Sequence, residues 1–231
     1  VSHHVTHRVQ PPLSKSDSIE LTAIASRKKD RAKHAAEKMG FQRYYGSYEE
    51  LLKDPEIEGV YIPLPNHLHT EWIKAAADGG KAVLCEKPIA LNAAEAKETF
   101  EYAHMQKVKV MEGYMYRLHP AWKHVEELIR SGEIGTVTAV NGFFSYNNPD
   151  PENIRNKLDT GGGALYDIGC YTVNSARLAF GKEPIRVCGN FKRHPDFGTD
   201  ILTSGILDFG DGSAVFNVGT LTYPYQRVEI I

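Results

Sequence analysis

The chain has 231 residues, 42% of them hydrophobic and 24% charged, with a formal net charge of −2. That is globular composition, long enough for one large domain or two smaller ones, and it lacks the basic excess of a generic nucleic-acid binder. Cys85, Cys170 and Cys188 are widely spaced with no Cys-x-x-Cys pair, which argues against a disulfide framework or zinc site and for a reducing, cytoplasmic setting.

From residue 19 the apolar period switches repeatedly between two and 3.6. Residues 19–25 predict a strand, and Ala32, Ala35, Ala36 and Met39 predict a helix stopped by Gly40. Ser47 with Glu50 marks a short capped helix. A strand at 60–62, a helix at 70–77 ending at Gly79-Gly80, and a strand at 82–85 follow. Asn92 with Glu95 opens a helix whose Ala93, Ala96, Phe100 and Ala103 share a face, and a strand at 108–111 closes the series. Strand and helix alternating through short links predict a Rossmann-like, doubly wound parallel sheet over residues 1–118.

The pattern changes near residue 118. An amphipathic helix (Trp122, Val125, Leu128, Ile129) stops at Gly132. Strands are then predicted at 136–146, 185–192, 201–209, 213–221 and 226–231, with a Gly-Asp-Gly hairpin at 210–212 and a helix at 163–180. Residues 119–231 thus predict an α/β domain with a large, open, mostly antiparallel sheet. Such a sheet often buries its exposed face against a second copy, so a homodimer or higher homo-oligomer is expected.

In an open parallel sheet, ligands bind beyond the carboxyl ends of the strands. Three such ends carry unusual residues. Ser26, Arg27 and Lys28 end the first strand, where a hydroxyl and two cations suit a ribose 2′-phosphate and favour NADP over NAD. The loop Pro63-Leu64-Pro65-Asn66-His67-Leu68-His69 is stiffened by two prolines and brings Leu64, Pro65, Asn66 and His69 to the sheet mouth. Its histidines lack the carboxylates or cysteines that would support a metal site. At Cys85-Glu86-Lys87-Pro88 a lysine stands at the mouth of a buried strand, where desolvating its charge is costly. In the second half, Thr160-Gly161-Gly162-Gly163 leads into a helix N-terminus that could take an anion or polar ligand. Asp167 and Tyr171, four apart, share a helical face and could bind a polyol and move a proton.

Glu86-Lys87-Pro88, the preceding Pro65-Asn66-His67-Leu68-His69, the run Met111-Glu112-Gly113-Tyr114-Met115-Tyr116-Arg117-x-His119-Pro120 and the later Gly-Gly-Gly-x-x-x-Asp-x-Gly-x-Tyr occur in this order. Together they resemble the Gfo/Idh/MocA oxidoreductases over about residues 19–231, most nearly the dihydrodiol dehydrogenase and NADP-dependent xylose dehydrogenase members. The resemblance implies hydride transfer between a nicotinamide, NADP preferred, and a sugar, polyol or dihydrodiol carbon. It implies that Lys87 reaches the cofactor ribose and substrate hydroxyl, before a proline bond that is often cis in this family. Glu86 belongs to the same motif and is expected beside the cofactor. Tyr171 is expected to accept the proton, its phenolate stabilised by a nearby ammonium, with Asp167 orienting the hydroxyl. Arg117 is expected to orient substrate and Tyr146 to line the pocket.

One feature departs from the family. Residues 1–18, VSHHVTHRVQPPLSKSDS, contain no glycine where the family opens with a strand and a G-x-G-x-x-G turn. The first strand and glycine loop are therefore expected to be missing, residues 1–18 to be atypical or disordered, and the second domain to be truncated at its apolar end. Alternative readings of the same fold are a nicotinamide-dependent glycosidase, a non-enzymatic dinucleotide-binding regulator and an inactive fragment.

Overall fold

The structure, a computed structural model, describes residues 4–231. The chain divides into two compact units. One runs to Leu64 and resumes from Leu68 to Gly113; the other comprises Pro65–His67 and Tyr114–Ile231.

The first unit opens with a π-helical turn, Val5–Val9, and a short helix α1 (Gln10–Leu13). Apolar burial anchors these residues. Val5 is buried against Ala35 and Met39, with Ile24, Phe41 and Tyr61 around it, and the Gln10 amide donates to the Met39 carbonyl at 3.0 Å. Strand β1 (Ala23–Ala25) follows, then α2 (Lys29–Met39), which ends at Gly40 with φ +76°. β1 pairs in parallel with β2 (Arg43–Tyr45). The strand is shorter than the apolar run predicts because only three residues find a partner, and Ile19 stays exposed. β2 itself was not legible, being three polar or aromatic residues between helices.

Ser47 caps α3 (Tyr48–Leu52), accepting from the Glu50 N–H at 3.1 Å. Strands β3 (Gly59–Ile62), β4 (Ala82–Cys85) and β5 (Val110–Glu112) form a second parallel sheet in that order, with α4 (His69–Asp78) and α5 (Ala93–Met105) as crossovers. Among the described residues no strand precedes β1 or joins the two sheets. Asn92 caps α5 as its spacing with Glu95 predicts, accepting at 3.0 Å. On α5, Thr99 and Ala103 are buried and Ala96 is half-buried, whereas Ala93 and Phe100 are exposed. The core is Ile62, Ile73, Ala76, Val83, Cys85, Ile89 and Ala90. Asp54 locks the edge: its carboxylate accepts from Arg43 and Tyr45, each at 2.7 Å, and its carbonyl from the buried Lys81 ammonium at 2.7 Å.

In the second unit α6 (Pro120–Ser131) ends at Gly132 with φ +75°. Helix α7 (Cys170–Phe180) is preceded by a π-helical turn, Leu165–Gly169. Strands β6 (Ala139–Asn147), β7 (Arg186–Arg193), β8 (Asp200–Asp208), β9 (Ser213–Gly219) and β10 (Leu221–Ile230) form one sheet ordered β10-β6-β9-β8-β7. Only β6 and β9 pair in parallel. The Gly-Asp-Gly hairpin joins β8 to β9, with Gly210 at φ +89°. Ile168, Ala176 and Ala179 pack on Val140, Phe216 and Val218. Gly205 is needed on this face because a Cβ would stand 2.4 Å from the Phe216 ring.

Candidate active site

The first unit brings several expected residues to its strand ends. Past β1, Ser26 is half-buried while Arg27 and Lys28 are exposed. Lys28 precedes α2 in extended conformation and no side chain caps that helix start. Past β4, Glu86 accepts the Tyr61 phenol at 2.6 Å and lies 3.4 Å from the His4 ring. Lys87 is half-buried, and the Lys87–Pro88 bond is cis. The turn is braced from β5: Glu112 accepts the Ile89 N–H at 2.8 Å, and the Gly113 N–H donates to the Cys85 carbonyl at 2.7 Å. His69, on the first turn of α4, is fully buried, with its ring nitrogens 2.8 Å from the Pro88 and Leu64 carbonyls. Burial, followed by Glu86 and Glu112, pushes the Cys85 thiol far up, so it is inert.

The second unit centres on Asp167. Its Oδ2 accepts two bonds, from the Tyr146 phenol at 2.6 Å and from Arg155 Nε at 3.0 Å. Tyr146 comes from β6, where a strand side chain faces the helix layer. Arg155 comes from a 3-10 turn, Ile154–Asn156, and its carbonyl also accepts the Gly163 N–H at 2.8 Å. Burial and the Asp167 carboxylate push the Tyr146 phenol far up, so it serves as a donor and not as a base. Sequence reasoning missed Arg155. It belongs to no apolar period, and only a search for a cation near the glycine run could have found it.

The helix N-terminus after the glycines is filled by the protein itself. Asp200 Oδ2 accepts the Leu165 N–H at 2.8 Å and the Thr203 hydroxyl at 2.5 Å. Gly163, at φ +121°, makes room for it, since a Cβ would meet Asp200 Oδ1 at 2.0 Å. The expected anion site is therefore occupied by an internal carboxylate.

Tyr171, in the first turn of α7, is half-buried among Tyr114, Tyr116 and Phe144, at ring separations of 5.7, 6.0 and 5.8 Å. Its hydroxyl points to the Met115 thioether at 3.6 Å. With Tyr116, Trp122 and Phe144 it lines an open, mainly apolar cavity of about 570 Å³. Arg117 is exposed, in the 3-10 turn Met115–Leu118. The Asn66 amide donates to the Gly161 carbonyl at 2.8 Å, tying Pro65–His67 to the glycine run.

A nicotinamide dinucleotide fits part of this donor set. The cations at Arg27 and Lys28 suit a 2′-phosphate, and Glu86 and Lys87 suit a ribose. The pyrophosphate half has no glycine turn among residues 4–18, which are helical from Val5 to Leu13. No cluster of three or more His, Cys, Asp or Glu able to hold a metal occurs among the described residues. Among those residues, too, no helix is long and apolar enough to cross a membrane.

Comparison with known proteins agrees with both units. Residues 4–114 match the oxidoreductase family with an NAD-binding Rossmann fold, and residues 122–231 match the GFO/IDH/MocA C-terminal domain. An uncharacterized oxidoreductase of Rhizobium meliloti is 46% identical over 96% of this chain and 67% of its own length. A D-xylose 1-dehydrogenase (NADP+) of Haloferax volcanii is 43% identical over 94% of this chain and 68% of its own. The chain thus spans about two thirds of the length of these relatives. The crystal structure of a 3-ketoreductase from Actinomadura kijaniata, in complex with NADP and TDP-benzene, superposes with a TM-score of 0.91 at 31% identity, over 99% of this chain and 70% of that one. Two parallel sheets in the first unit, a mostly antiparallel sheet in the second and both family matches lead to one conclusion: the chain belongs to the Gfo/Idh/MocA oxidoreductase family.

Proposed function

We propose that the protein is an NADP-dependent dehydrogenase that moves a hydride between the nicotinamide and a hydroxyl-bearing carbon of a sugar, polyol or dihydrodiol. The observation that carries this reading is the Asp167 carboxylate, held by Tyr146 and Arg155 one helical turn before Tyr171. The bound cofactor supplies the hydride acceptor. The chain supplies recognition and proton handling. Arg27 and Lys28 neutralise a 2′-phosphate, and with no carboxylate among residues 26–28 a free 2′-hydroxyl is less well served. Leu64, Pro65, Asn66 and Glu86 are proposed as cofactor contacts, with one Asn66 amide N–H already given to the Gly161 carbonyl.

Asp167 accepts a hydrogen bond from a substrate hydroxyl and fixes its direction, while Arg155 and Tyr146 hold the carboxylate still. Tyr171 accepts the proton from the hydroxyl being oxidised and returns it in carbonyl reduction. An unperturbed tyrosine near pKa 10 is a poor base at neutral pH, so its phenolate needs a positive charge to stabilise it; Lys87 is assigned to the cofactor ribose. Arg117 is the further donor that orients substrate. The outer sheet face, with Phe143, Leu202, Ile206 and Val215 exposed, is proposed to pair with a second copy. A cytoplasmic location is proposed from the few, widely spaced cysteines Cys85, Cys170 and Cys188.

The test is the initial rate of NADP+ reduction with a panel of aldoses, polyols and dihydrodiols, repeated with NAD+. Net NADPH formation supports a dehydrogenase. Glycoside cleavage without net NADPH would transfer the site to a nicotinamide-dependent glycosidase. An Arg27→Asp variant should reverse the preference toward NAD+.

A further inference from the structure

We propose that His69 is held as an imidazolium, and that in this state it is a positioning residue that ties the loop after β3 to the turn carrying Lys87. The ring is fully buried. Nδ1 lies 2.8 Å from the Pro88 carbonyl oxygen and Nε2 lies 2.8 Å from the Leu64 carbonyl oxygen. A carbonyl oxygen only accepts, and a neutral imidazole has one N–H to give. In either neutral tautomer, one ring lone pair would therefore face an oxygen lone pair at hydrogen-bond distance. The usual freedom to reassign ring protons does not remove the conflict, because both partners are main-chain carbonyls. Only the doubly protonated ring donates to both.

A charge in the interior is expensive unless hydrogen bonds compensate it, and two charge-assisted bonds to carbonyls are the compensation available here. The charged groups on the surrounding elements are Glu86 and Lys87 in the turn, Glu112 at the end of β5, which holds the adjacent Ile89 N–H, and Glu71 on the ring's own helix α4. The two carbonyls belong to segments far apart in sequence, the start of the loop after β3 and the cis-proline turn. The ring bridges them and thereby fixes the backbone from which Lys87 projects. That consequence rests on the proposed function; the charge state of the ring does not.

The direction of the linkage follows. Folding takes up a proton at His69, so its pKa is raised above the unfolded value of about 6.5. The stabilisation is complete below that value and is lost as pH rises through the folded pKa, with the folding equilibrium constant falling about tenfold per pH unit in between.

The experiment is nitrogen-15 NMR of the histidine side chains in the full 231-residue chain at pH 7 and pH 8, with the His69 signals identified by contacts to Leu64 and Pro88 protons. Two directly bonded N–H protons on the His69 ring at both pH values are expected; one bare ring nitrogen overturns the proposal. As a second readout, denaturant stability between pH 6 and 8.5 should fall more steeply with pH in the native chain than in His69→Gln, and equal slopes would overturn it. If the variant does not fold, the NMR result decides alone. Dehydrogenase activity enters neither measurement, so a protein without turnover would refute the proposed reaction and leave the test of His69 intact.

Discussion

Replacing Arg155 by methionine isolates the electrostatic part of the Asp167 cluster. Methionine keeps much of the aliphatic stem and removes the guanidinium whose Nε lies 3.0 Å from Asp167 Oδ2. Breaking a buried ion pair from one side costs about 3–5 kcal/mol, whereas an exposed pair is worth about 0–1 kcal/mol. The Arg155 side chain is 42% exposed and that of Asp167 14%. The pair lies between these limits, and screening at the arginine end brings the expected cost to about 1–2 kcal/mol. The Tyr146 phenol still donates at 2.6 Å, so the carboxylate is not stranded. Without its cation the carboxylate holds a proton more tightly, and the acid limb of the turnover profile should move to higher pH. The assay is steady-state NADP+ reduction from pH 4.5 to 9, beside guanidinium denaturation of the same samples. Arg155→Lys should restore part of the acid limb. An unchanged limb in a folded, active Arg155→Met protein would refute the view that Arg155 holds the Asp167 carboxylate.

Four further outcomes are expected. Tyr171→Phe keeps the ring contacts with Tyr114, Tyr116 and Phe144 and should fold normally, yet lose about a hundredfold or more in turnover; circular dichroism and rates on one sample check both. Asp200→Ala leaves the Leu165 N–H and Thr203 hydroxyl without their acceptor and should cost about 1–2 kcal/mol by denaturant titration. In the native chain a thiol reagent should modify the exposed Cys188 first and reach the buried Cys85 only on unfolding, as mass mapping would show. Asp208 is held below the ordinary carboxylate range, first by the Gly210 N–H and then by Arg186. Its contribution is therefore present above the unfolded pKa and lost as pH falls through the folded one, and Asp208→Asn should flatten the acid side of the stability profile.

Much of this architecture is written in local chemistry. Gly40 and Gly132 stop helices at positive φ where only their lack of a Cβ is tolerated cheaply, and Ser47 and Asn92 cap the helices that follow them. These signals lie within four residues of what they specify. β1 ran short and β2 went unseen because strand extent depends on a partner distant in sequence. The face of α5 was misjudged by one position, with Thr99 buried in place of Phe100, since hydrophobicity alone does not say which side of a helix meets the sheet. At the site, Asp167 and Tyr171 could be picked out by type and spacing. Arg155 and Asp200 could not, because each reaches its partner across a loop or from another strand. The opening segment shows the opposite limit: it carries neither a strand pattern nor a glycine turn, and its helical state follows from burying Val5 beside Met39.

The central claim is that this chain binds NADP and uses it. The most direct measurement is a fluorescence titration of the folded 231-residue protein with NADPH, run beside NADH. The account predicts saturable binding with a clear preference for NADPH, weakened in Arg27→Ala. A folded protein that binds neither nucleotide would contradict it.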